Sequence, residues 1–134
     1  VLKDIPENKV ENIAMAIVAE LSPEGDKVWN VYLLNLKEEM IEGVLVTSKG
    51  YGVQDGEHVR TSTLRHFLDT IPSKGYVKVE PIIEKVFGLN NEYWVSFYHN
   101  KVMYDKKYLF LPESVRQDNF INIPIINKAG VMIR

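Results

Sequence analysis

Cysteine is absent from the 134 residues, which removes thiolate nucleophiles, iron–sulfur ligation and cysteine-based zinc sites at once. A thiol-free chain suits the reducing cytosol, so a cytoplasmic location is the expectation. The chain begins at Val1 and not at a methionine, which leaves a processed targeting segment open. Long apolar runs are missing as well. The longest, Ile13 to Ala19, falls well short of the about 20 residues that span a bilayer, and no membrane partner is expected. There is no basic excess: the formal charge is −2 and the isoelectric point 5.9, so the broad positive footprint of a nucleic-acid binder is lacking. The halves differ mildly, −4 over residues 1–67 and +2 over 68–134. Histidines number only three, His58, His66 and His99, and none shows the i, i+4 pairing of helical zinc sites. No metal or cofactor is implied.

What is present is apolar and aromatic. With 46% hydrophobic and 25% charged residues, the chain has the composition of a soluble globular domain able to bury a core. Seven of its fourteen aromatic residues lie between Tyr93 and Pro112. The segment reads as two aromatic strands joined by a polar turn at His99-Asn100-Lys101, because large flat side chains suit a pleated, half-buried surface and pair across strands. Alternation puts Tyr93, Val95 and Phe97 on one face and Trp94, Ser96 and Tyr98 on the other. If the first face is core, Trp94 and Tyr98, with Lys101 and Tyr104 nearby, become the candidate interaction surface.

The rest of the chain is read in the same way. Residues 1–11 form a polar lead-in. Between Ile13 and Leu21 the apolar residues fit a strand with one bulky face, although Val10, Ile13, Ile17 and Leu21 also fall at helical spacing. The compact turn Ser22-Pro23-Glu24-Gly25-Asp26 favours strand. Val28 to Leu36 is apolar on both faces, the mark of a central strand, and with Ile41–Thr47 it predicts an antiparallel hairpin. Residues 48–58 hold three glycines and predict a surface loop. Val59 to Leu68 fits a strand or a capped helical turn. Tyr76 to Glu80 alternates cleanly, and Pro81 confines that strand to an edge, an end or a bulge. Pro112 to Val115 suits the start of a short helix, Phe120 to Ile126 a peripheral strand, and Val131 to Ile133 a short end. The fold class is therefore all-β: a single-domain antiparallel β-sandwich over residues 12–134, immunoglobulin-like, with seven to eight strands.

Constellations that carry chemistry are sparse. Gly50 to Gly56 resembles a phosphate cradle, but Glu57-His58 stands where a P-loop needs lysine and a hydroxyl residue. Ser48 or Ser62 with His66 and Asp69 has triad composition, without the Gly-x-Ser-x-Gly elbow. Glu38-Glu39, and Glu80 with Glu84, are carboxylate pairs of the kind glycosidases use, on positions that are ordinarily solvated. Lys101, Lys106 and Lys107 among Tyr98, Tyr104 and Tyr108 mix charge and rings as single-strand grooves do, or guard a sheet edge. A loop site, if one exists, would gather Tyr51, Asp55, His58, Arg60 and His66.

The runs Val28-Trp29-Asn30-Val31-Tyr32 to Thr47, Gly50-Tyr51-Gly52, Arg60-Thr61-Ser62-Thr63 and Leu89-Asn90-Asn91-Glu92-Tyr93 through Tyr108 resemble a family of small uncharacterised bacterial proteins. Its members are sometimes labelled phenylalanyl-tRNA synthetase alpha subunit. Val59 to Thr63 resembles a stretch near that enzyme's catalytic domain, and Ala129 to Arg134 its third motif. The second motif, with its ATP-contacting arginine, has no counterpart, so no catalytic residue is carried over. The resemblance implies at most an accessory role in translation. Three functions follow from the sequence: a non-enzymatic interaction module for a protein partner, a small enzyme with its site on residues 48–66, and a translation-associated accessory protein. The first accords best with abundant strand signal and no complete catalytic motif.

Overall fold

The computed structural model describes residues 8–134, so most of the polar lead-in lies outside the described residues. The chain is an antiparallel β-sandwich. The described residues form ten strands: β1 (Ile13–Leu21), β2 (Lys27–Asn35), β3 (Ile41–Gln54), β4 (Glu57–Arg60), β5 (Leu64–Ile71), β6 (Tyr76–Ile82), β7 (Asn90–His99), β8 (Val102–Phe110), β9 (Ile121–Asn122) and β10 (Ala129–Ile133). One sheet has the order β6-β2-β1-β10-β9; the other runs β4-β3-β7-β8, with β5 also paired to β3.

The core lies between the sheets. Ile13, Met15 and Ile17 of β1 and Val31 and Leu33 of β2 meet Val44, Val46, Tyr93, Val95 and Phe97 of the second sheet. Each fully buried side chain of this size contributes about 1.5–3 kcal/mol of hydrophobic stabilisation. Trp29 anchors one end, with Phe87 and Phe120 edge-on at 5.2 and 5.7 Å.

β1 is a strand, and it is buried on both faces. Ala14, Ala16 and Val18 turn away from the core and join a second cluster with Tyr32, Leu34 and Ile123. The small alanines leave room for a roof there. Ile123 and Ile126 supply it, and Phe120 to Ile126 does not form the strand its apolar run predicts. Only Ile121 and Asn122 pair; the chain then closes a tight turn, Asn127 N–H to Ile123 O and Ile123 N–H to Lys128 O, with Ile125 and Asn127 in the left-handed region. The short end at residues 131–133 is part of β10, which lies inside the sheet between β1 and β9.

Three further local expectations change. β2 and β3 are not a hairpin: β2 pairs β1 and β6, whereas β3 pairs β4, β5 and β7. The chain crosses between sheets at residues 36–40, and fully buried Asn35 holds the crossing. Its amide touches Glu39 O, Ile71 O and Pro72 O, and its Oδ1 accepts from Lys37 N–H. Residues 48–54 are strand, not loop; Asp55-Gly56, both with positive φ, make the two-residue turn into β4. Gly50 is in the strand because Thr61 lies over it: an added Cβ would stand 3.0 Å from Thr61 Cγ2. Pro112 to Val115 forms a turn and no helix.

Candidate functional site

No strand or helix of the described residues covers the outer face of the β3-β7-β8 sheet, unlike the roofed face of the other sheet; Asn8 reaches its β8 edge, donating to Met103 O at 3.0 Å. Register places Leu45, Thr47, Lys49, Tyr51 and Val53 of β3 on this face, with Glu92, Trp94, Ser96 and Tyr98 of β7 and Met103, Asp105 and Lys107 of β8. Leu45 faces Ser96 on one side and Phe67 of β5 on the other. Five large side chains are therefore exposed together: Phe67 68%, Met103 51%, Tyr98 48%, Trp94 45% and Leu45 38%. Tyr98 lies across Gly43, whose φ of 56° and missing Cβ let the ring close to 3.2 Å of the position a Cβ would take.

The sequence-derived residues divide between locations. Tyr51, His58 and Arg60 line one shallow depression on the outer face with Lys49 and Glu92. Tyr51 donates to Glu92 Oε1 at 3.2 Å, and Lys49 Nζ lies 3.6 Å from Glu92 Oε2. Asp55 is at the tip of the β3-β4 turn. His66 points to the opposite, inner side, since it faces buried Val46. The five do not form one concave surface. Of the hairpin residues, Trp94 and Tyr98 are on the outer face, Lys101 is in the turn, and Tyr104 is on the inner face, stacked on Phe97 at 5.5 Å.

A second arrangement lies between the sheets, and it involves residues the sequence combines differently. Ser48 of β3 donates to Glu80 Oε1 at 2.7 Å, His66 Nε2 is 2.7 Å from the same oxygen, and Tyr93 Oη donates to Oε2 at 3.3 Å. Clean alternation from Tyr76 would turn Glu80 outward with Lys78. A bulge prevents that: Val31 pairs with Glu80 but Tyr32 pairs with Lys78, so Val79 is the extra residue. One inserted residue reverses every later side chain, and the carboxylate goes inward. The irregular pairing is invisible in an alternating pattern, which is why the cluster escapes sequence reading. Burial pushes the Tyr93 phenol up, and the Glu80 charge and hydrogen bond push it further.

The cluster holds groups in place; it does not form a triad. The carboxylate stands between hydroxyl and imidazole, so His66 is not positioned to take the Ser48 proton. Ser48 is only 3% exposed. Asp69 is in the bulged part of β5, opposite Val44. Glu84, the other half of the carboxylate pair, accepts from Trp29 Nε1 at 2.9 Å instead. Beside the cluster is a cavity of about 230 Å³, lined by Ser48, Thr61, Leu64, Glu80, Val86 and Asn91 among others.

The chain matches no protein-family model, and no curated protein is significantly similar to it. No helix among the described residues is long and apolar enough to cross a membrane, a statement that does not bear on β-barrels.

Proposed function

We propose that the protein is a non-enzymatic β-sandwich interaction module that docks a protein partner on the outer face of the β3-β7-β8 sheet. The supporting observation is the contrast between the two sheets. One outer face has the small Ala14 and Ala16 and is roofed by Ile123 and Ile126; the other carries exposed Phe67, Leu45, Trp94, Tyr98 and Met103 with no strand or helix of the described residues over them, Asn8 standing beside Trp94 and Met103. Tryptophan, tyrosine, phenylalanine and methionine are the residues enriched at the centres of protein interfaces. Contiguous apolar exposure of this kind marks an interaction surface.

The surrounding charges suggest the partner's chemistry. Arg60, Arg65 and Lys107 share this face with one unpaired acid, Asp105, and form no ion pair among the described residues. An apolar patch with an acidic rim complements them.

A photo-crosslinking amino acid at position 98, compared with one at Leu21 on the opposite sheet, tests the proposal. Position 98 is expected to trap a protein that position 21 does not. With that protein purified, Phe67→Ser plus Trp94→Ser is expected to weaken binding at least about tenfold, as for central interface residues. An adduct of RNA at position 98 would favour the translation-associated function instead. Equal trapping at both positions, or unchanged affinity of the double variant, would overturn the docking face.

A further inference from the structure

We infer that the inter-sheet cavity beside Glu80 is a binding site for a short aliphatic cation, a primary ammonium or guanidinium on an alkyl stem. The inference is independent of the outer docking face, which lies on the other side of the second sheet.

The hydrogen-bond inventory of the lining is one-sided. Ser48 and Tyr93 have their hydroxyl hydrogens on Glu80. Thr61 donates to Ser62 O while its Oγ1 accepts from Gly50 N–H. Asn91 places both amide hydrogens on Val86 O and Leu89 O. These donors are all engaged, the Ser62 hydroxyl being the donor on the lining without a recorded partner, whereas acceptor positions stay open on Asn91 and Glu80. Asn91 Oδ1 is directed toward Gly50, 3.3 Å from where a Cβ on that residue would stand, and Gly50 is part of the cavity wall. A carboxylate offers about four acceptor sites; Glu80 receives two short bonds on Oε1 and only one long contact, 3.3 Å, on Oε2.

Charge has the same sign as this inventory. Lys49 borders the cavity, yet its ammonium is on the outer face, 3.6 Å from Glu92 and 5.8 Å from the Tyr51 ring. Glu80 is thus the carboxylate the cavity presents, with a side chain only 14% exposed; the His66 imidazole already lies 2.7 Å from its Oε1, so Oε2 is the oxygen a cation would meet. A partly desolvated carboxylate with a free acceptor position binds a cationic donor more strongly than a neutral one. The remaining wall, Leu64, Pro81, Ile82, Ile83 and Val86, is apolar, and it suits an alkyl stem a few carbons long. Few placed polar groups in a mostly apolar wall is the ordinary composition of a small-ligand site.

Amide shifts in a two-dimensional NMR titration test the site on the intact chain. Butylammonium and butylguanidinium are expected to move Ser62, Leu64, Val86 and Asn91, while butanol of the same length leaves them in place. Glu80→Gln is expected to weaken cation binding at least tenfold. Should that variant lose its fold, Leu64→Trp decides the matter. It obstructs the cavity from a half-exposed position opposite Ser48 in the β3-β5 register, removes no hydrogen-bonding group, and is expected to abolish the shifts. Blocked Gly-Lys-Gly and Gly-Arg-Gly peptides distinguish the source: tighter binding than the free cations identifies a partner's side chain, weaker binding a free amine. Equal shifts from butanol, no shifts from either cation, or wild-type binding by folded Leu64→Trp would each overturn the site.

Discussion

Gly130→Ala gives two opposite expectations, and the structure chooses between them. Glycine in a strand interior is unfavourable by roughly 0.5–1 kcal/mol relative to alanine, so propensity alone makes the variant more stable. Gly130 pairs with Val18 across the β1-β10 ladder. A Cβ there would fall inside the contact envelope of the Ile17 carbonyl oxygen and 3.0 Å from Val18 Cα. Both are backbone atoms of a strand held on its other side by β2, so neither can rotate away. Relief requires β10 to move off β1. Overpacking of this kind costs about 1–3 kcal/mol, and each ladder bond weakened adds about 1 kcal/mol. A loss of about 3 kcal/mol, or roughly 10 °C in Tm for a domain of this size, is expected from urea and thermal unfolding followed by circular dichroism. Gly56→Ala is the control: its φ is 78° and nothing stands within 4 Å of the added carbon, so it loses only about 1–2 kcal/mol from strain. A Gly130→Ala protein as stable as wild type, or less affected than Gly56→Ala, would refute the close approach of the strands.

Three other outcomes follow from named groups. Ser48→Ala removes a 2.7 Å bond to the Glu80 carboxylate and is expected to cost about 1.5–3 kcal/mol, the range for hydrogen bonds to charged groups; a change within the error of chemical denaturation would show that the bond contributes nothing. Burial alone would raise the Glu20 carboxyl, but hydrogen bonds from Lys128, Tyr32 and Asn30 outweigh it and hold the group below its ordinary 4.5. A depressed folded value stabilises above the unfolded value and loses that stabilisation as pH falls through the folded one. Glu20→Gln should therefore be less stable than wild type at neutral pH and lose less between pH 4.5 and stronger acid; parallel acid-unfolding curves would contradict this. Burial, joined at Tyr32 and Tyr93 by a carboxylate partner, raises the phenols of Tyr32, Tyr93 and Tyr108 well above 10. Ultraviolet titration should show these three of the seven tyrosines resisting ionisation until the protein unfolds in alkali, where their stabilisation is lost; seven phenols titrating together in native protein would rule it out.

Local signals in the sequence were reliable where a single strand pair decides the outcome. The aromatic segment forms β7 and β8, its turn has Asn100 and Lys101 at positive φ, and Tyr93, Val95 and Phe97 are buried while Trp94 and Tyr98 are exposed. Pro81 is on the edge strand β6. Pairing between sheets was not legible. Adjacent strand segments read as a hairpin, and nothing in Val28–Leu36 or Ile41–Thr47 says that Asn35 fastens a crossing between layers. Gly50 read as loop because its reason, the Thr61 methyl above it, is a contact eleven residues away. Glu80 read as solvated because a bulge leaves no mark in composition.

Pairing of β1 with β10 joins Met15–Val18 to residues 130–133, which has a consequence during synthesis. A growing chain exposes β1, apolar on both sides, from the ribosome long before its partner is made. Its neighbour β2 can shelter one edge early, but the other stays open until β10 emerges. Chaperone dependence should therefore be set by the arrival of β10, and a ribosome-bound chain halted before Ala129 has emerged should be more prone to aggregate than one halted after Arg134 has emerged.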